Sequence, residues 1–159
     1  MKILYVITGL KKAGAEKQLY LLIKGLKNKH NIKVISFVDG FYQQKIEELG
    51  IEVKTLGTKK LSTLLKLKEE INKFNPDVVH AWMVHANLLC QVVRLLCKKK
   101  FRLVCSIRAK EKGMLYWLSR LFDSQVELTI TNSKVIRKYL IEKYKYHKEK
   151  VRVVYNGIV

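Results

Sequence analysis

Apolar positions along this chain alternate between two rhythms. One is a short, β-branched run with no polar face. Lys2–Ile7, Ile32–Val38, Ile51–Leu56, Asp77 to about Ala81, Phe101–Ile107, Glu127–Thr131 and Val151–Tyr155 follow it and read as strands buried on both sides. The other places apolar residues on one face of a helix, over Ala15–Lys29, Tyr42–Leu49, Leu61–Phe74, about Val84 to Leu96, Met114–Phe122 and Lys134–Tyr144. The clearest case is Leu61–Phe74, where Leu61, Leu64, Leu65, Leu67, Ile71 and Phe74 form the stripe and Asn75-Pro76 ends it. Strand and helix alternate throughout. That order predicts an α/β chain: a Rossmann-like parallel sheet with helices on both faces.

In open parallel sheets, ligands gather beyond the carboxyl ends of the strands. The segment Pro76–Leu89 reads as strand, short loop and helix, with His80 at the end of the strand and His85 at the start of the helix. Both histidines are therefore site candidates. The first loop, from Gly9 to Glu16, is not G-x-G-x-x-G. It has the spacing of the first part of a Walker loop, but Ala15 and Glu16 stand where Lys and Ser or Thr are required. What remains is a glycine turn at Gly14 before a helix, a place where backbone N–H groups can meet an anion, with Lys11 and Lys12 adding charge. Nucleophile-elbow, zincin and kinase patterns are absent.

Composition narrows the picture further. A hydrophobic content of 48% supports a packed core, and 32 Lys plus Arg against 13 Asp plus Glu gives a net charge of +19. Such a charge attracts nucleic acid, anionic lipid or a phosphate-bearing substrate without choosing among them. Cys90, Cys97 and Cys105 lie in apolar surroundings without metal-ligand spacing, and read as buried free thiols in a reducing cytosol. The apolar run at the start is too short for a signal peptide. No stretch approaches the roughly 18 apolar residues of a membrane span.

Several short motifs then fall in a familiar order: MKILYVI, Gly14-Ala15-Glu16, PDVVHAW with HANLL, Ser106-Ile107-Arg108, Thr131-Asn132-Ser133, and Val154-Tyr155-Asn156-Gly157-Ile158. Together they resemble the N-terminal half of a family 4 retaining glycosyltransferase, also called glycosyltransferase group 1, of the GT-B fold. The resemblance implies one domain over residues 1–159 that binds the acceptor. It further implies a separate C-terminal domain, absent from this chain, that holds the nucleotide-sugar. The expected acceptor is a glycan or a lipid-linked glycan of cell-envelope polysaccharide synthesis. On this reading the half is inactive alone, uses no cofactor or metal, and works in the cytoplasm at the inner face of the membrane.

Carried onto this sequence, the resemblance makes His80 and His85 the catalytic candidates. Gly14, Lys12, Glu16, Arg108 and Asn132 become substrate-binding candidates, with Arg108 holding an acceptor phosphate through its fork. The plainer readings are a tight turn at Gly14, a structural strand-end histidine, a solvated Arg108 among Lys110 and Lys112, and helix caps at Asn132 and Ser133. The sequence departs from the family pattern where Ala13 replaces one glycine of the usual pair and Trp82 stands where many relatives have a second histidine. Lys59, Lys60, Lys66 and Lys68, and the segment from Arg108 to Phe122 with Tyr116 and Trp117, are candidates for contact with an anionic membrane. For the Leu61–Phe74 helix, core packing is the favoured expectation. Two alternatives remain: a basic nucleic-acid-binding module, which lacks any recognised motif, and a fragment of a GT-B-like sugar-nucleotide epimerase.

Overall fold

The computed structural model describes residues 1–110 and 113–158, so Lys112 lies outside the described residues. The elements in order are β1 (Lys2–Gly9), α1 (Gly14–Leu26), β2 (Asn31–Val38), α2 (Phe41–Glu47), β3 (Glu52–Thr55), α3 (Lys60–Phe74), β4 (Val78–Trp82), α4 (Val84–Leu96), β5 (Arg102–Ile107), α5 (Met114–Leu121), β6 (Leu128–Thr131), α6 (Lys134–Tyr144) and β7 (Val151–Val153). The strands make one parallel sheet in the order β3-β2-β1-β4-β5-β6-β7. The α/β class and the parallel sheet are those the sequence predicts. The strand order reverses direction between β1 and β4, and the crevice beyond their carboxyl ends is where such sheets bind ligands.

Each strand buries both faces because alternate side chains enter different cores. Leu4 and Val6 of β1 and Val79 and Ala81 of β4 pack against Leu67 and Ile71 of α3 and Cys90 and Val93 of α4. Tyr5 and Ile7 of β1, with Trp82 of β4, face Leu19 and Ile23 of α1 and Ile46 of α2. A third cluster joins Tyr116 of α5 to Ile136, Leu140 and Tyr144 of α6. Each fully buried side chain of this kind contributes about 1.5–3 kcal/mol. All three cysteines are buried and free.

Three expectations change. β1 runs on to Gly9, which pairs with Val38, because the neighbouring strand continues the ladder. β4 extends to Trp82, so His80 sits inside the strand, opposite Tyr5 and Val104, and not at its end. The α3 stripe is only partly packed. Leu67 and Ile71 are buried, but Leu61 and Leu65 are 69% and 56% exposed.

One buried charge network ties α3 to the sheet. Glu70 accepts from Lys33 of β2 at 2.9 Å and from Lys54 of β3, and Glu52 adds a 3.0 Å contact to Lys33. Burial pulls the Lys33 pKa down, but the hydrogen bonds its ammonium donates to Glu70 and Glu52 outweigh this and raise it overall. Burial likewise pushes the Glu70 carboxyl up, and its two lysine partners leave it below the ordinary value.

Candidate functional site

Four neighbouring strands end at one rim, and a residue within three of each end lines the same crevice. Met83 follows β4, Arg108 follows β5, Asn132 follows β6, and Asn156 lies past β7. With Gly14 at the start of α1 and Tyr116 of α5 they line a groove of about 260 Å³. A side chain added at Gly14 would meet nothing within 4 Å, so the glycine leaves its backbone open to the groove. Arg108 is half-buried and donates from Nη1 to Asn156 Oδ1 at 2.6 Å. Its guanidinium lies 4.4 Å from the Trp82 ring centroid, a contact worth about 0.5–2 kcal/mol. Burial lowers the Arg108 pKa without threatening its charge.

The rim carries buried polar atoms with nothing to bond. Arg108 Nε, Asn132 Oδ1 and Glu16 Oε1 have no hydrogen-bond partner among the described residues. Glu16 is itself buried, in the first turn of α1. Ser133, not Asn132, caps α6, accepting from the Ile136 N–H at 3.1 Å. Asn132 is therefore left facing the groove.

Met83 marks the same place by its backbone. Its φ of 75° and ψ of 153° belong to a region that side-chain-bearing residues avoid, at a cost of about 1–3 kcal/mol. The conformation turns the chain directly from β4 into α4, with the Met83 N–H donating to Ser106 O at 3.2 Å.

His80 occupies an adjoining pocket of about 350 Å³ on the α1 side of the sheet, bounded by Gln18, Trp82, Ser106, Arg108 and Tyr155. Its Nε2 is 2.7 Å from Ser106 Oγ. The ring packs 5.5 Å from Tyr5 and 5.1 Å from Trp82. Burial, and secondarily the Arg108 charge, push the His80 pKa down to about 3. The imidazole is neutral at physiological pH. The chain beyond β7 roofs this pocket: Gln18 Nε2 donates to Gly157 O at 3.1 Å, and the Gly157 N–H donates to Gln18 Oε1 at 2.9 Å.

Of the sequence-predicted residues, Gly14, Arg108 and Asn132 share the rim groove, and His80 adjoins it through Arg108. Glu16 is buried in the first turn of α1 and does not line the groove. His85, exposed in the first turn of α4, lines a different and apolar groove against α3. Lys12 is exposed at the outer side of the first loop, its Nζ 5.2 Å from the Phe41 ring. Met83, Ser106, Gln18 and the Trp82–Arg108 stack escaped sequence reasoning. Trp82 was visible as a departure, but its use as a bed for Arg108 was not. No group of three potential metal ligands occurs among the described residues.

The Glycosyltransferase Family 4 model matches residues 13–159. This chain belongs to glycosyltransferase family 4. The O-antigen biosynthesis glycosyltransferase WclY of Escherichia coli is 32% identical over 107 residues, covering 67% of this chain and 27% of WclY. Anabaena HepE in complex with UDP superposes with a TM-score of 0.84 at 21% identity, over 99% of this chain and 44% of HepE. The lipopolysaccharide outer core galactosyltransferase WaaB in its apo form gives 0.80 at 15%, over 99% and 46%. The chain thus spans under half the length of these proteins, and its sheet is that of one half of a GT-B fold. UDP-N-acetylglucosamine 2-epimerase of Rickettsia bellii gives 0.69 at 14%, over 98% of this chain and 45% of the epimerase. The architecture is therefore shared beyond family 4. No helix among the described residues is long and apolar enough to cross a membrane.

Proposed function

We infer that this chain is the acceptor-binding half of a retaining glycosyltransferase that moves a sugar from a nucleotide-sugar to a glycan or lipid-linked acceptor in cell-envelope polysaccharide synthesis. Transfer then requires a second, donor-binding half facing the rim, and the chain alone is inactive. The observation that carries this reading is the rim groove at the β1/β4 switch point, with its unpartnered Arg108 Nε and Asn132 Oδ1. Native proteins leave few buried polar atoms unbonded, so such a cluster is the mark of a polar ligand's place. WclY's name, which assigns it to O-antigen biosynthesis, supports the substrate class.

The roles follow from the geometry. Arg108, stacked on Trp82 and tethered by Asn156, presents Nε to an acceptor hydroxyl or phosphate. Asn132 accepts a hydrogen bond from a hydroxyl, and the open backbone at Gly14 admits the donor's diphosphate from the other side of the cleft. With its pKa at about 3, His80 is too weak a base to take a proton near pH 7. Its contribution is to hydrogen-bond as a neutral ring and to set Ser106 and Trp82 beneath Arg108. Lys12 and His85 stand on the cleft side of the sheet as an outer charge and a hydrogen-bonding group. The cytoplasmic face of the membrane is where such an acceptor meets this half.

The test is a titration of the isolated chain, followed by backbone NMR, with UDP-glucose and with glycans released from envelope polysaccharide. Acceptor-induced shifts at Gly14, Arg108 and Asn132 that vanish in Arg108→Ala, with no nucleotide-sugar turnover, are expected. Tight nucleotide-sugar binding or turnover by this chain alone would overturn the assignment of halves.

A further inference from the structure

The opposite edge of the sheet carries a second concave site, and it is basic. β1, β4 and β5 are parallel, so their amino ends lie together, away from the rim. There Asp77, Arg94, Lys99, Lys100 and Arg102 line, with Phe101, a pocket of about 520 Å³, in the range of small-molecule sites. Four cations, from the last turn of α4, the loop after it and the start of β5, thus face one carboxylate. That carboxylate is already engaged: Asp77 Oδ2 accepts from the Lys2 N–H at 2.7 Å.

Local structure accounts for only part of this charge. Lys100 Nζ donates to Arg94 O at 2.8 Å, covering a free carbonyl in the last turn of α4. Arg94 Nε donates to Phe101 O at 2.6 Å, and its guanidinium lies 5.6 Å from the Phe101 ring centroid. These contacts fix the fork and leave its Nη groups without a hydrogen bond among the described residues. Lys99 and Arg102 are exposed, and Arg102 Nη2 meets only a thioether, Met1 Sδ at 3.5 Å, a weak acceptor. None of the four cations has an ion-pair partner among the described residues, whereas Lys33, Lys54 and Lys73 are all paired. Like charges so crowded repel until an anion enters. The occupant that fits is short, strongly anionic and without a ring. Phe101 is the one aromatic residue of the lining; it is 5% exposed and already carries Arg94, so no face remains for a base to stack on.

We propose that this pocket binds a linear oligophosphate, a chain of linked phosphate groups. Arg94 and Arg102 grip it through their N–H forks, and Lys99 and Lys100 act as point charges. The inference is independent of the acceptor-binding reading. The pocket and the rim groove lie at opposite ends of β4 and β5, so a ligand here does not compete with one at Arg108.

The test titrates the chain calorimetrically with inorganic tripolyphosphate at low salt. One saturable site is expected, with affinity about tenfold or more above that for orthophosphate and falling steeply as salt is raised. ATP, the same phosphate chain on a nucleoside, should bind no more tightly. Lys99→Gln combined with Arg102→Gln, both at exposed positions, should weaken binding about tenfold or more at an unchanged melting temperature. Lys17→Gln combined with Lys24→Gln removes the same charge from exposed positions of α1 and should leave binding unchanged, as should Arg108→Ala. Unaltered binding in the Lys99 and Arg102 variant overturns the proposal. Equal weakening by the α1 pair also overturns it, because net charge and not the pocket then holds the anion. Equal affinity for orthophosphate is a single-phosphate site and a marked preference for ATP is a nucleotide site; either result overturns it. So does adsorption to phosphatidylglycerol vesicles through Lys99 and Arg102 with no binding of tripolyphosphate, which is a membrane surface. Glycan-induced shifts at Arg108 are read separately, so this inference and the acceptor-binding reading fail independently.

Discussion

His80 gives the sharpest quantitative test of the site's electrostatics. An imidazole titrates near 6.5 in an unfolded chain, but burial and the Arg108 charge hold it at about 3 here. Between those values the unfolded chain binds a proton that the native chain refuses. Stability is therefore full above about pH 6.5 and is lost as pH falls toward 3. From pH 7 to pH 5 the loss through this one group is about 2 kcal/mol. Any native value below about 4 gives the same figure, because the native ring is then already neutral at pH 5. His80→Gln removes the titration while keeping a polar side chain beside Ser106. Urea denaturation at pH 7 and pH 5 isolates the effect: the wild-type midpoint should fall by about 1 M more than that of the variant, for a slope of about 2 kcal/mol/M. If both proteins lose stability in parallel, His80 is solvated and protonates normally. A half-buried ring held neutral beneath Arg108 would then be wrong.

Other consequences are as direct. Glu70→Ala leaves the Lys33 ammonium with only the exposed Glu52 carboxylate and should cost about 1.5–3 kcal/mol by urea denaturation, while Lys33→Met with Glu70→Leu recovers most of it. At Met83 the usual order of small residues should invert. Met83→Gly, free of the strain at φ 75°, should be more stable than Met83→Ala by about 1–2 kcal/mol in thermal melts. Gly40→Ala would put a Cβ at 2.6 Å from the Leu10 carbonyl. It should destabilise by about 1–3 kcal/mol and shift the NMR signals of the first loop through Gly14.

How much of this was legible beforehand depended on how local the cause was. α4 and α6 were readable to their last residues, since their apolar spacing and flanking turns are local signals. Arg108 and Asn132 were readable as strand-end residues, because a strand that ends at the rim must hand its next residue to the crevice. His80 was set at the strand end because the apolar run fades at Ala81. Trp82 continues the strand only because Ile7 and Ser106 pair with it from either side. The left-handed Met83 has no signature in a side chain with no preference for that region. The Gln18–Gly157 pair joins residues 139 apart in sequence, and no local pattern encodes it.

The two grooves meet at the first turn of α4, and the strain at Met83 explains how. Met83 alone separates the end of β4 from the start of α4, and the direct turn sets Val84 in the wall of the rim groove and His85 in that of the apolar one. Strain of about 1–3 kcal/mol persists only where the surroundings fix it. Here they do so through the Met83 N–H on Ser106 O and the Asn87 N–H on Met83 O, at 3.2 and 2.9 Å. Ser106 Oγ in turn lies 2.7 Å from His80 Nε2. Ser106→Ala keeps the main-chain carbonyl that accepts from Met83 and loses only the His80 contact, so in the NMR titration it should weaken glycan binding at Arg108 while the signals of the β4–α4 turn stay in place.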